Sequence, residues 1–168
     1  MRDDLAERLV QASEIHGDFV LSSGKRSTVY FDKFRFLADP SLLAEIAGAV
    51  AEKLPSDITH LAAPEGAATL LLAAVALERR LPMVVVRKER KAYGTMSRVE
   101  GLLQDGGRVV LIEDVSTTGH QVAGAARALE EEGVTVELIV LVIDRGGAET
   151  LRQNGYRVES LVSLRPES

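Results

Sequence analysis

Apolar residues recur along this chain with two periods, and the switches between them outline its elements. Leu5, Leu9, Val10 and Ile15 stand among Asp, Glu and Arg. That spacing predicts a helix over 3–15 with one apolar face, ended by Gly17. Residues 18–32 predict two short strands joined by a Ser-Gly-Lys-Arg turn, and the aromatic cluster Tyr30, Phe31, Phe34 and Phe36 extends that apolar hairpin. Asp39 and Pro40 mark a helix start, as N-cap and first helical residue, with Leu42, Leu43, Ile46, Ala47 and Val50 on its apolar face. Ile58 to Ala63 reads as a strand. Thr69 to Arg80 is a helix so apolar that burial on more than one side is expected. Met83 to Val86 suits the interior of a parallel sheet. Val109 to Ile112 is a further strand, and the helix after it carries Val122, Ala125, Ala126 and Leu129 and ends near Gly133. Val134 to Ile143 predicts a strand, Ala148 to Gln153 a short helix, and Tyr156 to Leu164 a last strand.

Strands and helices therefore alternate from about residue 40 onward. The pattern predicts a single α/β domain over 1–168, with a mainly parallel sheet flanked by helices in the core 37–168. Residues 1–36 stand outside the alternation. Ligands of such sheets sit beyond the carboxyl ends of the strands.

Composition narrows the function more than the fold. A net charge of -5 argues against a generic nucleic-acid binder. No apolar run reaches the length of a membrane span, and the charged start Met1-Arg2-Asp3-Asp4 is unlike a signal peptide. The chain has no cysteine, which excludes disulfides and thiol chemistry and fits a cytoplasmic protein. His16, His60 and His120 lack metal-ligand spacing, and neither a Walker sequence nor Gly-x-Gly-x-x-Gly occurs.

Four stretches carry chemistry, all at predicted strand ends. After Val109 to Ile112 come two adjacent carboxylates, Glu113 and Asp114, then Val115-Ser116-Thr117-Thr118-Gly119-His120. Carboxylates there can accept hydrogen bonds from ribose hydroxyls. The loop amides and hydroxyls can hold a phosphate at the positive end of the helix dipole. Ser and Thr also cap helices for local reasons. After Val86 come Arg87, Lys88, Arg90, Lys91 and Arg98, with Glu89 the one acid among them and Gly94 to let the run move. A basic loop beside a phosphate site suits a diphosphate leaving group. After Ala63, the run Pro64-Glu65-Gly66-Ala67-Ala68 lets ligand approach the backbone closely. Arg145, just past the strand that ends at Asp144, can offer a fork of donors to a carboxylate.

The ordered run Glu113 to Gly119 resembles the PRPP-binding signature of type I phosphoribosyltransferases. The pattern Phe19-x-Leu21-x-Ser23-Gly24-x-x-Ser27-x-x-Tyr30-x-Asp32 is similar to the N-terminal hood of orotate phosphoribosyltransferases. Arg87-Lys88-x-x-Lys91-x-Tyr93-Gly94 resembles their catalytic loop, Arg-Lys-x-x-Lys-x-His-Gly, and Asp144-Arg145 resembles their orotate-binding pair. The resemblance implies a type I phosphoribosyltransferase-like fold with residues 1–36 as helix and hood. It implies transfer of phosphoribose from PRPP to orotate, giving orotidine 5′-monophosphate and pyrophosphate in UMP biosynthesis.

Site roles follow from the same resemblance. Lys91 and Asp114 are the implied catalytic pair. PRPP is implied to contact Arg87, Lys88, Lys91, Tyr93, Glu113, Asp114, Val115, Ser116, Thr117, Thr118, Gly119, His120 and Gln121. Pro64, Glu65 and Gly66 form the implied pyrophosphate loop. Thr117 and Arg145 would contact orotate. So would Lys25, which replaces the lysine many members carry before the Ser-Gly, where this chain has Ser22. Mg2+ is the implied cofactor, held by PRPP rather than by direct protein ligands, with Glu113 and Asp114 reaching it through water. The implied assembly is a homodimer in which Arg87 to Gly94 enters the neighbouring subunit's site, with no nucleic-acid or membrane partner. Tyr93 departs from the pattern: a phenol donates a hydrogen bond but carries no positive charge near neutral pH. Two rivals remain at this level, transfer to another base and a PRPP-sensing regulator with a basic surface outside the site.

Overall fold

The structure is a computed structural model that describes residues 2–21, 24–90, 92, 94 and 97–164. Its centre is a six-stranded sheet in the order β5-β4-β3-β6-β7-β8. The strands are β3 (His60–Pro64), β4 (Met83–Val86), β5 (Val99–Gly101), β6 (Arg108–Ser116), β7 (Thr135–Asp144) and β8 (Val158–Ser163). All neighbours are parallel except β4 and β5. The chain starts the sheet at β3, builds outward to β4, then returns to the other side of β3 as β6. The switch point therefore lies between β3 and β6, where parallel sheets open a crevice at their carboxyl ends.

Alternation along β6 organises two cores. Val110 and Ile112 face one layer with Leu9, Phe36, Ile46 and Leu72. Val109 and Leu111 face the other with Val122, Ala126, Leu129 and Leu151. Each of these side chains is at most 2% exposed, and burying one of those larger than alanine contributes roughly 1.5–3 kcal/mol relative to leaving it in water. The first layer is built by α1 (Arg2–Ser13), α2 (Lys33–Ala38), α3 (Pro40–Ala51) and α4 (Ala68–Arg79), and the second by α5 (His120–Glu131) and α6 (Gly147–Gln153). Helix α3 starts as its sequence predicts: Asp39 accepts hydrogen bonds from the Ser41 and Leu42 amides at 2.9 and 3.0 Å, with Pro40 next to it.

Five elements differ from the sequence reading. Helix α1 stops at Ser13, and Glu14–Val20 is strand β1, paired antiparallel with β2 (Arg26–Phe31) in a separate two-stranded sheet. Ile15 thus pairs with Tyr30 rather than completing a helical face. Gly17 falls in the register irregularity between His16 and Phe19, where strand pairing overrides a helix-ending glycine. Helix α2 interrupts the expected aromatic hairpin. Asp32 accepts from the Phe34 amide at 3.0 Å and caps it, so Phe36 and Leu37 enter the core while Phe34 stays outside. Helix α4 is buried on one side only: Leu71, Leu72, Val75 and Ala76 face the core, while Leu70 and Leu77 are exposed. Within the described chain no second layer covers that outer face. The basic run ends in β5, an edge strand the pattern did not indicate. Strand β6 runs four residues past the apolar stretch, so Glu113 and Asp114 lie in the strand and not in the loop after it.

Among the described residues no helix is long and apolar enough to cross a membrane.

Candidate active site

Parity decides where the two carboxylates go. In a strand successive side chains point to opposite faces. Glu113 continues the row of Leu111 toward α5, and Asp114 continues the row of Ile112 toward the layer that contains α2. Both are buried, at 5% and 0% exposure. Asp114 Oδ1 accepts from the Val115 amide at 2.5 Å and from Lys33 Nζ at 3.1 Å. Its Oδ2 is buried with no hydrogen-bond partner among the described residues. Glu113 Oε1 accepts from the Asp114 amide at 3.0 Å. Burial pushes the Glu113 carboxyl up to about 8, with the neighbouring Asp114 charge adding to the rise and Lys33 opposing it.

Beyond Asp114 the chain forms a cradle. Ser116 is buried and its Oγ lacks a partner among the described residues, whereas Thr117, Thr118 and His120 are exposed. Gly119 takes φ +77°, and the helix begins directly after it with its first amides free of intrahelical partners. That glycine is required twice over. A Cβ there would stand 2.6 Å from the Gly147 carbonyl oxygen, in a backbone conformation that side chains disfavour. Gly147 returns the constraint, because a Cβ on it would collide with Ser116 Oγ. The loop after β6 is therefore wedged against the start of α6.

The same wedge brings Arg145 in. The Arg145 amide donates to the Ser116 carbonyl at 2.8 Å. Asp144 Oδ1 accepts from the Gly146 and Ala148 amides at 2.9 and 3.1 Å and shapes the turn. The Arg145 guanidinium lies 5.3 Å from the centre of the Phe31 ring, at the end of β2, so the N-terminal hairpin meets the strand ends here. Phe19 and Tyr30 pair across the hairpin with ring centres 5.6 Å apart.

On the other side of β6, the ends of β3 and β4 are tied together. Glu65 Oε1 accepts from the Lys88 amide at 2.6 Å. Arg87 donates its amide to the Arg98 carbonyl at 2.7 Å, and Arg98 Nε donates back to the Arg87 carbonyl at 3.0 Å. A cavity of about 200 Å3 lies between this clamp and α5, lined by Pro64, Arg87, Lys88, Arg98, His120 and Gln121 among others. A larger cleft of about 550 Å3, beside Leu5, Glu45, Lys53 and Glu159, shares no lining residue with it. The strand ends, not that cleft, gather the basic and hydroxyl groups that a phosphorylated sugar needs.

Comparison with known proteins shows the family. The phosphoribosyl transferase domain model matches residues 35–165. An orotate phosphoribosyltransferase of Methanocella arvoryzae is 41% identical over 165 residues, covering 96% of this chain and 94% of that protein. The chain belongs to the orotate phosphoribosyltransferase family. The crystal structure of the Aeropyrum pernix orotate phosphoribosyltransferase superposes with a TM-score of 0.81 at 36% identity, covering 95% of this chain and 93% of the other. The Mycobacterium tuberculosis H37Rv enzyme in complex with PRPP gives 0.78 at 26% identity, covering 97% and 96%.

Most of the residues singled out by this family's motifs converge at the carboxyl ends of β3, β4, β6 and β7. Pro64, Glu65, Gly66, Arg87, Lys88, Glu113 to Gln121 and Arg145 all stand there. Lys91, Tyr93 and Ser22 lie outside the described residues. Lys25 stands in the hairpin turn with an exposed side chain, and among the described residues that side chain makes no hydrogen bond or ion pair. Among the described residues no group of three or more His, Cys, Asp or Glu can hold a metal. The contact of Lys33 with Asp114 is one the sequence reading missed. The signal was present in Asp32-Lys33-Phe34-Arg35-Phe36-Leu37, where a capping Asp precedes apolar residues at helical spacing.

Proposed function

We propose that this chain transfers the phosphoribosyl group of PRPP to orotate, releasing pyrophosphate, in UMP biosynthesis. The carrying observation is the pair of buried oxygens without a hydrogen-bond partner among the described residues, Asp114 Oδ2 and Ser116 Oγ, set two residues apart around a strand end that leads into a helix N-terminus. A buried polar atom without a partner is costly unless a ligand satisfies it. A ribose hydroxyl and a 5′-phosphate supply what these two oxygens lack, a donor for the carboxylate and a partner for the hydroxyl.

In the reaction the bond from the ribose anomeric carbon to diphosphate breaks, and a bond from that carbon to the orotate ring nitrogen forms. The carbon gains positive charge as the diphosphate gains negative charge. Glu113 and Asp114 orient the ribose, and the amides and hydroxyls from Val115 to Gln121 hold the 5′-phosphate. Arg87, Lys88 and Lys91 stabilise the leaving charge, with Tyr93 donating a hydrogen bond. Pro64 to Gly66 approach the diphosphate through backbone. Arg145 and Thr117 contact the orotate carboxylate and ring, and residues 1–36 cover the base as a hood, with Lys25 on it.

Magnesium fits this donor set as a passenger of PRPP. Glu113 Oε1 and Asp114 Oδ1 are already engaged, which leaves isolated hard oxygens rather than a chelating cluster. Charge neutralisation on the diphosphate is what the ion supplies when bound. Homodimerisation, with Arg87 to Gly94 entering the partner's site, belongs to the same reading. Leu70 and Leu77, exposed one heptad apart on α4, offer apolar surface for it. A cytoplasmic location accords with the lack of cysteine.

The test is a spectrophotometric assay of orotate consumption with PRPP and Mg2+. Turnover of orotate and none of adenine or hypoxanthine is expected. Robust turnover of a purine base and none of orotate would overturn the choice of base.

A further inference from the structure

Lys33 lies outside the signature, the basic loop and the hood pattern. It is nevertheless the one described side chain that forms an ion pair with Asp114, 81 positions later in the chain. The geometry of the pair is asymmetric. The Asp114 carboxylate is fully buried, while the Lys33 side chain is 42% exposed. A buried carboxylate next to a second one needs a compensating partner, and Lys33 supplies it from α2. Lys33 and the Val115 amide both occupy Oδ1, which fixes the rotamer of Asp114 and leaves Oδ2 as the buried oxygen with no partner among the described residues, the one a ligand hydroxyl would satisfy. Two residues before Lys33, Phe31 lies under the Arg145 guanidinium. One three-residue segment thus touches the ribose side of the site through Lys33 and the base side through Arg145.

We propose that Lys33 is a positioning residue for phosphoribosyl binding: it locks Asp114 with Oδ2 toward the ligand and ties the N-terminal hairpin to the ribose site. The proposal rests on the reading of the site as a PRPP site. It does not depend on which base is used. Without the lysine, Oδ1 loses its charged partner, the carboxylate is free to turn, and the ribose hydroxyl meets an unprepared acceptor. Arginine at this position keeps the charge and a donor, so it preserves much of the effect.

The experiment is calorimetric titration of PRPP with Mg2+, without any base, into the wild-type chain and into Lys33→Met, Lys33→Gln and Lys33→Arg. Asp114→Asn and the double variant Lys33→Met/Asp114→Asn complete a cycle. Lys33→Met and Lys33→Gln are expected to weaken PRPP about tenfold with little change in melting temperature, and Lys33→Arg by no more than about threefold. On the Asp114→Asn background, Lys33→Met is expected to add less than about twofold, because its route to the ligand is already gone. Unchanged PRPP affinity in both Lys33→Met and Lys33→Gln overturns the proposal, as does a full tenfold loss on the Asp114→Asn background. Unfolding of all three Lys33 variants alike would mark the lysine as purely structural and also overturn it. Failure of the wild-type chain itself to bind PRPP overturns the underlying phosphoribosyl reading, a separate result from the others.

Discussion

The carboxyl end of β6 and the basic run after β4, which we propose hold different parts of the same substrate, are built in opposite ways. Strand β6 is paired on both sides, with β3 and with β7. Its acids are buried, and the loop after it is wedged between Ser116, Gly119 and Gly147. Strand β4 has only the three-residue β5 beyond it, and the basic run leaves from the sheet's edge region. Its root is clamped by Arg87, Arg98 and Glu65, but Lys88, Glu89 and Arg90 are exposed. Two further ties of its described residues, Arg90 to Glu131 at 3.5 Å and Ser97 to Glu132 at 2.8 Å, reach the far end of α5 and are solvent-exposed. Surface ties of this kind contribute little to stability. The part proposed to recognise an unchanging sugar phosphate is thus packed as a piece of the core. The part proposed to meet charge appearing during the reaction has exposed surface contacts to α5 among its described residues.

That contrast makes mutations in the two regions fail differently. Lys91→Ala should give the largest effect, a fall in kcat of about 10²–10³-fold, the usual cost of removing one group that stabilises developing charge. Its melting temperature is expected to match the wild-type chain, since a leaving-group role places no demand on the fold. Stopped assays at saturating PRPP and a thermal melt check both, and full turnover would remove Lys91 from the leaving-group role. Gly147→Ala should behave the other way. The added Cβ meets Ser116 Oγ and Cβ and stands 3.0 Å from the Gly119 amide nitrogen, so the cradle must shift. Overpacking of this kind costs about 1–3 kcal/mol, a drop of several degrees in melting temperature. PRPP affinity should fall with it. A variant as stable as the wild type with normal PRPP binding would show the wedge to be slack, and would erase the contrast between the two regions.

The same division explains what could be read from the chain. The unbroken apolar run Val109 to Ile112 reflects the two-sided burial of a central strand, a local pattern with a global cause, so the parallel sheet was legible. Asp39-Pro40 gave a helix start because capping is local. Three features depended on tertiary partners and were not legible. Ile15 left its helix because β2 offered Tyr30 as a neighbour. Glu113 and Asp114 stayed in the strand because β7 pairs with the chain through Ser116. Leu70 and Leu77 remained outside because the described chain has no layer to cover them. Of the site, the strand-end placement of Arg145 was legible from the motif. Its approach to Phe31 and the Lys33–Asp114 pair were not, because both join segments far apart in sequence.

The smallest effect sharpens the rigid side of the comparison through pH. In the folded chain the Glu113 carboxyl is raised from 4.5 to about 8, chiefly by burial, with Asp114 next. Between those two values the folded state holds a proton that the unfolded state has released. Stability then decreases as pH rises, because the slope follows the protons bound unfolded minus those bound folded, which is negative in this window. The contribution is complete below the unfolded value and is lost once pH passes the folded one. Glu113→Gln carries no ionisable group there, so its melting temperature should fall less between pH 5 and pH 8 than that of the wild-type chain. A difference of a few degrees in that fall is expected, read from paired melts across the range at constant ionic strength. Parallel curves for the two proteins would mean that Glu113 gives up its proton within the folded strand end at little cost. The buried side of the site would then be more open to water than its 5% exposure implies.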